Sequence, residues 1–229
     1  MTKGRTGFRN YSGPPRQLQM NDAEAGCGAD AMTPDEEQDV HFVQQMASGD
    51  EQAFLMLYRR RQGPVFRFAL RMSGNPLVAE EVTQDTFVAL VKDASGYDPA
   101  RGTVASYLFG IARNLVLRHL RQRTYVGLDE VDHAPEDPSP SVLDGLTRRA
   151  DIERVRRAVA SLPPAYREVV VLCELEGLAY AEAAAALACP IGTVRSRLSR
   201  ARALLAAKLR GEAVGVRGIA HEQALRWTS

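Results

Sequence analysis

Between Cys189 and Arg210 the chain carries six basic residues, Arg195, Arg197, Arg200, Arg202, Lys208 and Arg210, and no acidic one, although its formal net charge is only +1. Cations at this density either solvate a helix face or bind nucleic acid, where arginine forks onto phosphate oxygens or the acceptor edge of guanine. Wound as a helix at about 100° per residue, the stretch sorts itself. Ile191, Val194, Leu198, Leu205 and Leu209 fall in one narrow apolar stripe. The opposite face carries Gly192, Thr193, Ser196, Ser199, Arg200 and Ala203, small in its middle. Arg195 and Arg202 border the stripe on one side, and Arg197 and Arg200 lie toward the other. A thin crest of small residues between arginine shoulders lets a helix backbone approach base edges in a major groove.

Other chemistry is sparse. The four histidines form no ligand cluster, and Cys27, Cys173 and Cys189 are odd in number and outside any CxxC spacing. No nucleophile–base pair or phosphate loop stands out, so no metal, cofactor or enzymatic activity is expected. Widely spaced cysteines without a disulfide pattern suit a reducing cytoplasm. The start, MTKGRTGFRN, has basic residues without the apolar core of a secretory signal, and the apolar runs are too short for membrane insertion.

The elements that must position the basic helix are themselves helical. Apolar residues make up 45% of the chain and aromatics only 7%, which favours helices packed through alanine and aliphatic side chains. Residues 1–35 lack a sustained period and read as a disordered tail. Thr33-Pro34-Asp35 is a helix entry, followed by Val40, Val43 and Met46 on one face. Asp50 caps a second helix containing Phe54, Leu57 and Tyr58, which Gly63-Pro64 should kink or interrupt before VFRFALRMSG. Asn75-Pro76 opens a third helix, to about Asp93, with Glu80 and Glu81 early in it. After the loop GYDPARG a fourth helix runs from about Thr103 to Arg123. It has two apolar strips, one of Val104, Leu108, Ile111 and Leu115, the other of Phe109, Val116 and Leu120, so it should pack on two sides.

The segment GLDEVDHAPEDPSPSVLDGLT then brings three prolines and six acids, Asp129, Glu130, Asp132, Glu136, Asp137 and Asp144, with no lysine or arginine. By composition it is a solvated linker, assigned to residues 126–148. Beyond it Ile152, Val155 and Val159 form a stripe, Ala165 to Glu176 form a helix ending at Gly177, and Tyr180 to Leu187 form a short alanine-rich helix. That short helix, the break at Cys189-Pro190 and the basic helix make a helix-turn-helix. The expectation is an all-α protein: two small helical domains, 36–125 and 149–210, joined by an acidic flexible linker, the second with a helix-turn-helix. The last residues, 211–229, are a tail that is either disordered or docks on a partner.

With these residues in view, LPPAYREVVVLCELEGLAYAEAAAALACPIGTVRSRLSRARALL closely resembles region 4 of extracytoplasmic function (ECF) sigma factors of the sigma-70 superfamily. AEEVTQDTFVALVKDASGYDPARGTVASYLFGIARNLVLRHLRQR resembles region 2 of the same family. The resemblance covers roughly residues 38–210. It implies a dissociable RNA polymerase subunit that directs promoter-specific initiation and assists strand opening. The implied partners are core polymerase (its β′ clamp and β flap), promoter DNA and an anti-sigma factor. It also implies roles for residues. Glu80, Glu81, Gln84 and Asp85 would dock on the β′ clamp. Tyr107, Arg113, Asn114, Arg118, Arg121 and Arg123 would lie at the minus-ten element, and Arg195, Ser196, Ser199 and Arg200 at the minus-thirty-five element. Arg197 and Arg202 would touch phosphate or the domain itself. The linker gains a second reading as an RNA mimic in the polymerase channel. Tyr107 stands where the family usually has Trp, and Ala188 where many relatives have Gly in the turn, at a cost if that residue is left-handed.

Two other readings fit the residues alone. A stand-alone helix-turn-helix regulator would bind duplex DNA tightly without polymerase. A helical module whose basic helix binds an acidic protein would show no DNA sequence preference.

Overall fold

The computed structural model describes residues 33–126 and 144–211. Every regular element among them is helical. Most of the expected tails and of the acidic linker lie outside the described residues, but α1 begins at Pro34, inside the expected tail, and α5 at Asp144, inside the expected linker.

The first four helices are α1 (Pro34–Ala47), α2 (Glu51–Ser73), α3 (Pro76–Lys92) and α4 (Val104–Val126). Their starts follow from capping chemistry. Thr33 and Glu36 form a reciprocal capping box on α1, Asp50 accepts from Gln52 and Ala53, and Asn75 accepts from Leu77 and Val78. α2 stops at Gly74, whose φ of 68° closes the last turn. Buried Leu57, Val65, Phe68, Met72, Val82, Phe87, Leu90, Leu108 and Val116 fill the space between α2, α3 and α4. α4 buries both strips expected of it, apart from a half-buried Leu120. The buried Asp39 ties α1 to α2 by pairing with Arg60 and Arg61.

The expected interruption at Gly63-Pro64 does not occur: α2 runs through Pro64. Proline there costs one backbone hydrogen bond, about 3 kcal/mol in a free helix. Val65, Phe68, Ala69 and Met72 just beyond it are all buried against α3 and α4, and that packing carries the helix through.

The second set is α5 (Asp144–Ala160), α6 (Pro164–Val170), α7 (Tyr180–Leu187) and α8 (Ile191–Leu209). The single helix expected from Ala165 to Glu176 is instead α6 followed by a π-helical turn, Val171–Leu175. The Glu176 N–H reaches back five residues to the Val171 carbonyl at 2.9 Å. The expected stripe on α5 is only half used: Val159 is buried, while Ile152 and Val155 are more than 40% exposed. Among the described side chains of α5, Ala158 and Val159 near its C-terminus are the buried ones.

Helix α7 ends in the left-handed residue Ala188 (φ 49°, ψ 48°), the one non-glycine residue with positive φ among those described. Its N–H and that of Cys189 return to the Ala185 and Ala184 carbonyls at 3.2 and 3.1 Å. The turn therefore demands what glycine would supply freely. The buried residues of both sets form one connected apolar cluster. Two glycines of α4 and its entry let the sets meet. A Cβ on Gly102 (φ 141°) would lie 3.1 Å from the Ala185 Cβ, and one on Gly110 would lie 3.3 Å from the Ala186 carbonyl oxygen.

Candidate nucleic-acid interface

Helix α8 is held by Val194, Leu198 and Ala201, all essentially inaccessible. Leu205 and Leu209 are half-buried, and Ile191, expected in the stripe, is 39% exposed at the helix start. The seat is thus shorter than the sequence stripe, and Ala201, absent from that stripe, lies at its centre. Opposite it Gly192, Ser196, Ser199 and Ala203 are exposed, with Thr193 half-buried.

The arginines of α8 divide into two kinds. Arg195 and Arg200 are exposed and carry no ion pair or side-chain hydrogen bond among the described residues. Arg197 donates to the Glu168 carboxylate at 3.3 Å, and Glu168 is 2% exposed. Arg202 pairs with Glu174, its Nε at 3.2 Å, and bonds Tyr180. Those two contacts raise its already high pKa. Arg197 and Arg202 therefore touch the protein itself, one of the alternatives left open for them. They anchor α8 to α6, the π turn and α7 while Arg195 and Arg200 stay available beside the crest.

Helix α4 divides its residues similarly. Asn114, Arg118 and Arg121 recur at helical spacing on one exposed face, with Tyr107 two turns earlier on the same side. The Tyr107 ring lies 5.6 Å from that of Tyr97, tilted by 57°. The Tyr97 hydroxyl donates to the Gly102 carbonyl at 3.1 Å, bracing the loop before α4. Arg118 approaches Asp85 at 3.9 Å. Arg113 departs from the group. It turns inward, its Nε and Nη2 donating to Glu168 at 2.7 and 3.3 Å. The Arg123 side chain lies outside the described residues.

The acidic positions sit together on α3. Glu80, Glu81 and Gln84 are exposed and Asp85 is half-buried. Glu81 reaches toward His119 at 3.8 Å and Asp85 toward Arg118, whereas Glu80 and Gln84 have no side-chain partner among the described residues. The sequence reading missed three apolar neighbours: Leu77, 73% exposed, with Val88 and Val91 further along. The signal was their helical spacing with Glu80, Glu81 and Gln84, which makes this a mixed acidic and apolar face.

Among the described residues no group of three or more His, Cys, Asp or Glu could hold a metal ion. No described helix is long and apolar enough to cross a membrane.

Comparison with known proteins gives these surfaces a family. Residues 57–125 match the model of Sigma-70 region 2, and residues 152–205 match Sigma-70, region 4. ECF RNA polymerase sigma factor SigE of Mycolicibacterium smegmatis is 39% identical over 165 residues, covering 68% of this chain and 62% of that protein. ECF RNA polymerase sigma factor SigC of Mycobacterium tuberculosis is 33% identical over 181 residues, covering 77% of this chain and 94% of that one. The solved structure of CnrH in complex with the cytosolic domain of CnrY is similar at a TM-score of 0.60, with 28% identity over 77% of this chain and 99% of CnrH. RpoE of Bartonella quintana, solved with the anti-sigma factor NepR, is similar at 0.56, with 26% identity over 69% of this chain and 96% of RpoE. The chain belongs to the ECF sigma factors of the sigma-70 family.

Proposed function

We propose that this sigma factor binds core RNA polymerase, directs it to promoters bearing a minus-thirty-five and a minus-ten element, and assists strand opening there as a non-enzymatic subunit acting in the cytoplasm. The observation that carries the reading is the division of the α8 arginines. Arg197 and Arg202 fasten the helix, and Arg195 and Arg200 have no partner among the described residues and lie beside an exposed Gly192, Ser196, Ser199 and Ala203 crest. That is the form of a major-groove helix, with a narrow backbone approach and bidentate donors at its edges.

The minus-ten surface in this reading is Tyr107, Asn114, Arg118 and Arg121, a half-buried ring beside amide and cationic groups that suits single-stranded bases and their phosphates. The α3 face, with exposed Glu80 and Gln84 beside Leu77, Val88 and Val91, suits a basic clamp surface of β′. The exposed Ile152 and Val155 on α5 suit the β flap. Control by an anti-sigma factor is supported by RpoE of Bartonella quintana, whose structure was solved bound to one.

The test is to add the purified chain to core polymerase and map transcript starts on genomic DNA. Starts that share an upstream pair of elements are expected. Starts without a common pair would overturn the reading.

A further inference from the structure

Nε2 of His119 is a buried side-chain nitrogen without a hydrogen bond among the described residues. The ring sits on α4, its side chain 17% exposed, and this nitrogen faces the Glu81 carboxylate of α3 at 3.8 Å. That separation is about 1 Å longer than a hydrogen bond. A neutral ring with its proton on Nδ1 would turn a lone pair toward Glu81, and two acceptors keep such a gap. An orphaned buried nitrogen costs free energy, so its placement calls for an account.

The surroundings leave Glu81 as its one partner in reach. Asp85, a turn beyond Glu81 on α3, is met by Arg118 at 3.9 Å. Helices α1, α2 and α7 also pack on α4, and none of them brings a described carboxylate within 4.0 Å of the ring. Glu81 itself is largely exposed, so rotation of its own side chain can close the gap. Histidine is the side chain that ordinarily changes charge between about pH 5 and 8. Proton uptake puts an N–H on Nε2, and the meeting of two acceptors becomes a charge-assisted hydrogen bond. Glu81 then lies against α4 with its charge met inside the chain. It also belongs to the exposed α3 face with Leu77, Glu80 and Gln84 that is assigned above to the β′ clamp. A basic clamp surface draws on the same carboxylate, so the imidazolium and the clamp compete for it.

We propose that His119 is a positioning residue for polymerase docking, a proton-dependent hold on Glu81. A neutral ring leaves the carboxylate to the clamp. An imidazolium draws it back, so core binding weakens as pH falls. By linkage, bound polymerase disfavours proton uptake by His119 to the same extent. The hold itself is a property of the free chain. Only its effect on polymerase rests on the α3 reading given above, so two measurements separate them.

The first follows the carboxyl-carbon NMR resonance of Glu81 in the free full-length chain between about pH 8 and about pH 6, the range in which imidazole titrates and an ordinary carboxylate does not. The resonance is expected to move in wild type and to move less than half as far in His119→Gln. His119→Asn takes its place if the glutamine variant loses helicity by circular dichroism. Equal movement in wild type and variant overturns the hold. The second measurement is fluorescence anisotropy of the labelled chain against core polymerase at the same two pH values and equal ionic strength. Wild type is expected to bind about threefold more weakly at the lower pH, the scale of a partly exposed ion pair. His119→Gln and Glu81→Gln share any titration of the core enzyme, and both are expected to lose most of that change. Glu81→Gln, at an exposed position, keeps this test sound whatever becomes of the histidine variants. A wild type without pH dependence, or the full dependence retained by a folded variant, overturns the positioning role. Wild-type affinity of Glu81→Gln at the higher pH overturns the α3 reading and leaves the NMR result standing.

Discussion

The guanidinium of Arg167 donates to the carbonyl of Met72 at 2.7 Å, so a side chain of α6 closes the last turn of α2. The same group reaches the carbonyls of Ala160 and of Leu162, the latter at 3.1 Å, where α5 has ended. It has no carboxylate partner among the described residues. Its charge is met by the negative ends of two helices, and burial pulls its pKa down from the ordinary arginine value. Arg167→Met is expected to lose roughly 2–3 kcal/mol in urea unfolding, the worth of charged hydrogen bonds left unmade. Arg167→Lys should recover less than half of that, because an ammonium cannot fork onto carbonyls of two helices. A wild-type midpoint in the methionine variant would show that the carbonyls are satisfied without it.

Ala188 holds a left-handed conformation that costs an L-residue about 1–2 kcal/mol. Ala188→Gly is expected to stabilise the chain by about 1 kcal/mol once the greater freedom of glycine in the unfolded state is deducted. Calorimetry reads this as a rise of about 2–4 °C.

The two kinds of α8 arginine should separate by assay. Arg200→Ala is expected to lose about 1–3 kcal/mol of discrimination at one promoter position while leaving unfolding unchanged. Arg197→Ala is expected to cost about 1–2 kcal/mol of stability, because Glu168 keeps Arg113 and loses its other donor. Paired unfolding and template-competition measurements check both. The reverse pattern would exchange their roles.

Glu80 and Leu77 on α3 are exposed, and the Glu80 side chain has no hydrogen bond or ion pair among the described residues. Glu80→Lys with Leu77→Ser should therefore weaken core polymerase binding at least about tenfold, near 1.4 kcal/mol, with an unchanged melting temperature. Fluorescence anisotropy of the labelled chain against core enzyme tests this.

Burial pushes the Cys173 thiol up to about 11, and Glu174 beside it adds to the shift. The folded state therefore keeps a proton that the unfolded chain releases near 9. The contribution of this thiol to stability is full below pH 9 and falls as pH rises from 9 to about 11. Alkylation of Cys173 by iodoacetamide in the native protein should be slow at pH 8 and accelerate toward pH 11. Rapid labelling at pH 8 under native conditions would contradict the burial.

Much of the fold is local and could be read from the chain. Thr33, Asp50, Asn75 and Gly74 start and stop helices by hydrogen bonds within a few residues, so sequence alone places them. The stripe of α8 is legible for the same reason. Pro64 is not, because the forces that keep α2 intact come from α3 and α4. The π turn is also illegible, since it falls in the unbroken apolar run VVVLC, where an extra residue shifts no boundary between apolar and polar positions. In the candidate site, the helical period groups Tyr107 with Asn114, Arg118 and Arg121 and sets Arg113 apart. What Arg113 faces is a residue 55 positions away, and no local pattern carries that information.

The π turn at Val171–Leu175 has a consequence for how the chain can change in length. Its wide turn directs Glu174 to Arg202 on α8 and Glu176 to Arg67 and Arg71 on α2. The turn already absorbs one extra residue, so a further residue inserted ahead of it would turn everything beyond by about 100°. Both carboxylates would then miss their arginines although no charge had been lost. At this point the register of the backbone, more than the identity of any side chain, decides which helices are joined.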